Sequence, residues 1–303
     1  MKWGFPGQLN IAKDRGELTV ITVCIPKYAP GFTIIEVLIV LAVSGAMLTS
    51  ALALINGRQN VAAFNQAIRN VQSELQKTVN DVSTGSYVSD NNIKCQDTGA
   101  SLKLTTVGAP EQGANTGCVF LGDVLQFAVG TADPQPYNVY SVAGLQNGLN
   151  GSPASLFESK ARLIAKGAGD PASVPNVFET KLLLYGLTVT KMYYGGNAAQ
   201  VIGAVGYAAS LGNLATNDVS QQVDLIALRG TGLHANQSTG VKSINTSLAS
   251  GPLSLLSPII NPPNGVQICF ASGGTNQSGL ITLGDQGRQG TIDLKIFGNK
   301  SCS

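Results

Sequence analysis

Phe32 to Gly57 is a stretch of 26 residues that holds one charge, Glu36, and few folds can accommodate such a run. As an α-helix, the 24 residues from Phe32 to Ile55 rise about 36 Å at 1.5 Å each, enough to cross a hydrocarbon layer of about 30 Å. The preceding 31 residues carry Lys2, Lys13, Arg15 and Lys27 against Asp14 and Glu17, and positive charge on that flank is expected to stay cytoplasmic. Beyond the run the polarity changes but the helical period does not. Val61, Phe64, Ile68, Val71, Leu75, Val79 and Val82 recur at steps of three or four, with Arg58, Asn65, Arg69, Glu74, Lys77 and Asp81 on the other faces. One helix is therefore expected from Phe32 to about Val82, about 75 Å long, with Ser83-Thr84-Gly85-Ser86 as its stop.

Glu36 needs a physical account. A charged side chain at the centre of a lipid-facing helix costs about 2.5 to 3.5 kcal/mol on insertion scales, and intramembrane acids usually have a partner. Glu36 lies four residues after Phe32. A cut after Gly31 would create an α-amino group one helical turn from the carboxylate, available to it or to the carboxylate of a neighbouring copy. The helix N-terminus also favours an anion in its first turn and opposes the amine.

The stretch Gly31 to Gly45, GFTIIEVLIVLAVSG, resembles the processing motif shared by type IV pilins and type II secretion pseudopilins. Gly stands before the cut, Phe after it, Glu fifth in the mature chain, and a long apolar run follows. The resemblance implies cleavage between Gly31 and Phe32 by a prepilin peptidase, N-methylation of Phe32, and a role for Glu36 in registering subunits within a helical filament. It further implies a single-pass precursor in the cytoplasmic membrane, an inner-membrane assembly machinery, and other pilin subunits as partners. The destination would be an extracellular pilus or a pseudopilus in the envelope. Two features depart from the pattern: the leader is long, with its own apolar run at Leu18 to Pro26, and Ala53 stands where a helix-breaking Pro is frequent.

Two plainer readings compete. The run could be an ordinary single-pass anchor that displays a surface binding module or adhesin, with Glu36 tolerated near the interface. It could also be a secretory signal cut near Ala51 to Ala53, although it starts far from Met1 and holds an acid in its apolar region.

From about Tyr87 onward, short β-branched runs alternate with Gly, Asn, Pro and Ser clusters. Strands are expected at Ser101 to Val107, Val119 to Val129, Tyr137 to Val142, Lys181 to Tyr194, Val223 to Leu228, Val266 to Ala271, Leu280 to Leu283 and Thr291 to Phe297, the last three as an antiparallel meander. The fold class is α+β: a long N-terminal helix, membrane-spanning then amphipathic, packed on a C-terminal antiparallel β-sheet domain, which is also the pilin plan. The divisions are a leader at 1–31, the helix at 32–85 (transmembrane 32–55, amphipathic 56–82), and a β-rich head at 86–303. A Gly-, Pro- and Ala-rich insertion is expected near 147–175, with a short helix at Ala154 to Lys166.

Cys24 lies in the leader, which leaves Cys95, Cys118, Cys269 and Cys302. An even number in an exported domain suggests two disulfides, and four cysteines permit three pairings. Cys95 with Cys118 and Cys269 with Cys302 is the favoured pairing, since each closes a local loop.

Little else in the chain carries chemistry. Its single His, His234, reads as a solvated loop residue, and no zinc set can be assembled locally. Asp90-Asn91-Asn92 opens like a calcium loop but continues with Lys94 and Cys95 at a ligand position and a turn position. There is no GxxxxGK[ST], GxSxG or HExxH motif. Without the leader the charges balance, 15 of each sign, so a charge-driven nucleic-acid binder is not indicated, although a local patch remains open. The expectation is a structural subunit that catalyses nothing and needs no metal or cofactor. Its 272 mature residues and insertion-like middle suggest a minor subunit.

Overall fold

The structure is a computed structural model that describes residues 31–85, 92–97, 102–107, 117–127, 134–145, 155–164, 179–196, 200–210, 223–229, 232, 237–273, 276–284, 290–298 and 302. They fall into two compact parts, one ending at Ile55 and one beginning at Asn56. Helix α1 spans Ile34–Thr84. In the first part it is apolar, and none of Ile34–Leu52 is buried. In the second part its amphipathic stripe is core: Phe64, Ile68, Val71, Leu75, Val79 and Val82 are buried, as is Ala67. Val61, expected in the stripe, is exposed because it lies one turn before the first covered residue, Phe64. The helix ends in Gly85 at φ 65°, whose N–H donates to the Val82 carbonyl at 3.1 Å, a left-handed stop that glycine adopts without strain.

The rest of the second part is β-structure. A hairpin of β1 (Asn92–Asp97) and β2 (Leu102–Val107) stands apart as its own sheet. The large sheet contains β3 (Cys118–Gln126), β4 (Pro136–Leu145), β5 (Arg162–Leu163), β6 (Glu179–Leu182), β8 (Ala204–Ala209), β9 (Val223–Leu228) and β10 (Ile259–Ile260). Its order is β10-β9-β8-β3-β4-β5, with β6 also on β4. A four-stranded sheet takes β7 (Leu187–Tyr194), β11 (Val266–Ser272), β12 (Gln277–Leu283) and β13 (Ile292–Gly298) in the order β13-β12-β11-β7. Every pairing is antiparallel, and the expected meander is β11-β12-β13. The α+β class holds.

The period of two along each strand divides the core. Leu125, Phe127, Val205, Tyr207 and Leu225 face the α1 stripe together with Ile268, Phe270 and Ile281 of the four-stranded sheet. Phe127 joins the layers, stacked on Tyr137 at 5.3 Å and edge-on to Phe270 at 6.5 Å. The alternate residues Val124, Tyr140, Ile226 and Leu228 face Val241, Ile244 and Leu248 of a second helix, α2 (Gln237–Leu248). That helix was not expected from the sequence, nor were β1, β5, β6's separation from β7, β8 or β10.

Two expectations are corrected. The strand expected over Lys181 to Tyr194 is two strands, because Leu184 to Leu187 is a tight turn. Tyr185 and Gly186 there have φ of 56° and 65°, and the Leu187 N–H donates to the Leu184 carbonyl at 3.2 Å. The helix expected at Ala154 to Lys166 is a turn followed by β5. Lys160 sits at φ 51°, a left-handed backbone through which a right-handed helix does not run. Leu156, Ala161, Leu163 and Ile164 of that stretch are buried.

A polar pair lies inside the α1-facing layer. The Ser141 hydroxyl donates to Asp123 Oδ1 at 2.7 Å across β3 and β4. Burial pushes the Asp123 carboxyl up to about 7, the Ser141 bond opposes this, and Asp81 and Glu179 add repulsion. The unfolded chain ionises this group near the usual carboxylate value while the folded chain keeps it protonated, so its contribution falls as pH rises through that window. Three units correspond to about 4 kcal/mol at most. Thermal unfolding of residues 56–303 and of the Asp123→Asn variant should therefore show the variant gaining stability relative to the parent from pH 4 to pH 7 and holding that gain above it. Parallel pH curves would contradict the assignment. Separately, Gly122 sits in a β-bulge at φ 153°, where an added Cβ would lie 1.9 Å from the Tyr207 carbonyl oxygen. Gly122→Ala should cost about 3 kcal/mol or more, whereas Gly298→Ala, with open space around it, should stay within about 0.5 kcal/mol by the same melting curves.

Candidate functional site

The first described residues form the site. Gly31, Phe32 and Thr33 precede α1 in irregular backbone, Phe32 is 79% exposed, and no atom lies within 4 Å of where a Gly31 Cβ would stand. Thr33 caps the helix. Its carbonyl accepts from the N–H groups of Glu36 at 3.0 Å and Val37 at 3.2 Å, and its hydroxyl accepts from the Glu36 N–H at 3.3 Å. Thr33-Ile34-Ile35-Glu36 has the spacing of a capping box, with the acid third in the helix, where unpaired backbone N–H groups favour a negative charge. The Thr-x-x-Glu spacing is readable in the sequence, yet Glu36 was read there only through the apolar run around it.

These contacts bring Gly31, Phe32 and Glu36 within about one helical turn. An amine created at Phe32 would sit directly before the cap, beside the positive end of the helix. Its most favourable neighbour is a carboxylate, either its own Glu36 or that of another copy. Downstream, Ile34–Leu52 has a mean hydropathy of 2.1. Its hydroxyls are satisfied internally: Thr49 Oγ1 and Ser50 Oγ donate to the Ala46 carbonyl at 3.0 and 2.8 Å. That leaves the helix surface apolar to its surroundings, as a spanning segment requires.

The other sequence candidates lie elsewhere. Cys95 and Cys118 are joined, S–S 2.03 Å, and so are Cys269 and Cys302, 2.16 Å. The first bond ties the β1–β2 hairpin to β3, assisted by the Lys160–Asp97 ion pair and the Arg162 bond to the Leu102 carbonyl. The second ties residue 302 to β11. His234, Asp90 and Asn91, and the leader before Gly31, lie outside the described residues. Among the described residues no group of three His, Cys, Asp or Glu side chains could hold a metal ion.

Residues 27–52 match the family model of the prokaryotic N-terminal methylation motif. No curated protein and no solved structure matches the chain. The matched stretch contains Gly31, Phe32, Thr33 and Glu36, so the chain carries the N-terminal methylation signature of type IV pilins and pseudopilins.

Proposed function

We propose that this chain is a structural subunit, of the minor kind, in a type IV pilus or a type II secretion pseudopilus. It is held in the cytoplasmic membrane as a single-pass precursor by the apolar part of α1, cut between Gly31 and Phe32 by a prepilin peptidase, and methylated on the Phe32 nitrogen. The inner-membrane machinery then draws it into a filament of pilin subunits, where helix packs on helix. The chain performs no catalysis in this reading, and the disulfides Cys95–Cys118 and Cys269–Cys302 fix its head after export.

The observation that carries the reading is the conjunction at the start of α1. An acid stands in the first turn of a helix whose next 16 residues are uncharged and uncovered, one turn from a sterically open Gly-Phe bond inside the matched motif. While the helix is in lipid, the first turn can sit at the wet interface. Stacked among other helices it cannot, and Glu36 then needs a cation. Truncating one member of a buried charge pair costs about 2 to 5 kcal/mol, so the carboxylate would matter most at assembly.

Glu36→Ala should leave membrane insertion and cleavage after Gly31 intact and lower incorporation into filaments by more than about tenfold, equivalent to about 1.4 kcal/mol. Immunoblots of sheared filament and membrane fractions read both quantities. Normal filament yield from the variant would contradict the proposal, and an uncut chain in the parent would favour the membrane-anchored surface adhesin instead.

A further inference from the structure

The turn between β6 and β7 presents the most unusual surface of the head. Leu182, Leu184 and Tyr185 are 50%, 46% and 54% exposed, and Leu182 to Leu187 contains no charged residue. Tyr185 occupies the left-handed region at φ 56°, where a Gly or Asn would fit such a turn with less strain. The turn holds an aromatic ring and two leucines outward against that strain.

Sheet register locates the turn. Gly279 of β12 lies against α1, where its Cβ would meet Ile68 Cδ1 at 2.1 Å and Phe64 Cζ at 3.5 Å. Gly279 pairs with Phe270, and Phe270 pairs with Val189 of β7. Further along α1, Gln72 donates to the Ile292 carbonyl at 3.2 Å, and Ile292 pairs with Leu283 at the far end of β12. The helix therefore enters the head at the end of this sheet where β7 begins. From Val189 back to Tyr185 is four residues, up to about 13 Å of strand. That equals about nine residues of helix, measured back from the Phe64 to Ile68 level. Tyr185 thus stands near the level of residues 56–60, where the apolar run of the sequence gives way to Asn56, Gly57 and Arg58.

We propose that the Leu182–Tyr185 turn is a lipid-contacting tip that rests in the headgroup region of the bilayer while the precursor is membrane-held. The inference rests on that membrane-held reading. Continuity with the spanning segment selects lipid as the occupant, because the turn lies at the depth where the chain leaves the hydrocarbon. A Tyr ring flanked by leucines matches that boundary, apolar on one side and wet on the other. Arg58, exposed at the same level on α1, supplies the positive charge that anionic headgroups attract. The tip would give the head a second, shallow attachment that is broken when the subunit is extracted.

The test uses the full chain in vesicles of phosphatidylcholine and phosphatidylglycerol, with brominated acyl chains as quencher. The sole Trp, Trp3, is changed to Phe, and single tryptophans are introduced as Tyr185→Trp, as Leu184→Trp, and at a remote control, Leu253→Trp. Leu253 is fully exposed. It lies near Arg229, which bonds the Leu255 carbonyl and covers Tyr194 at the opposite end of β7. The expected result is blue-shifted emission and strong bromolipid quenching at positions 185 and 184, with neither effect at 253. Vesicle flotation separates the failures. If the chain does not float, the membrane-held reading fails and takes the tip with it. If it floats but both tip probes match position 253, the tip alone is overturned. Probes shielded from aqueous iodide but insensitive to bromolipid would assign the surface to a neighbouring protein and overturn lipid contact.

Discussion

A carboxylate in the first turn of an otherwise uncharged helix is tolerable only while water or a cation can reach it, and this constraint organises the N-terminal end of the chain. The energy is small beside the hydrophobic gain of inserting 19 apolar residues, so Glu36 does not prevent membrane residence. It is large beside the small differences that select one helix register over another when helices pack without water. Thr33 and the free N–H groups of the first turn hold the acid at the end of the helix, where a new terminus at Phe32 would also lie. Cleavage, methylation and assembly then become one electrostatic sequence, in which removal of the leader supplies the charge that packing needs.

The head satisfies a different requirement. A helix with one apolar stripe must be covered, and from Phe64 to Val82 it is, by one face of the large sheet and by the four-stranded sheet. The large sheet is apolar on both faces, so its far side needs a second cover, which α2 provides. Polar side chains left within these layers are joined in pairs and chains. Tyr140 donates to Gln126 Oε1 at 2.9 Å, Asn138 to the Tyr140 hydroxyl at 3.2 Å and Thr180 to Asn138 at 3.0 Å. Lys181 reaches across to pair with Glu74 of α1.

Elements with a strong local period were legible in the sequence, and those defined by their neighbours were not. The α1 stripe, β9 and the final meander have apolar residues at helical or strand spacing. By contrast, β8 reads AVGYAA, with a single β-branched residue; it is a strand because β3 and β9 flank it on both sides. Helix α2 reads QSTGVKSINTSL, with three apolar positions and a mid-helix glycine that propensity disfavours. The glycine fits a close approach, since a Cβ at Gly240 would lie 1.6 Å from Gln126 Nε2. The break at Tyr185-Gly186 was hidden because leucine and tyrosine on both sides continue the strand pattern. At the functional end the bond, the amine-bearing residue and the acid were readable from spacing, while the cap by Thr33 emerged only from the hydrogen bonds.

The account depends on a new N-terminus at Phe32, and mass spectrometry of the N-terminal peptide from subunit recovered from the cell envelope measures it directly. The account predicts a peptide that begins at Phe32 and carries one methyl group on its α-nitrogen. A mature chain that retains residues before Gly31, or one that begins near Ala51, would contradict it.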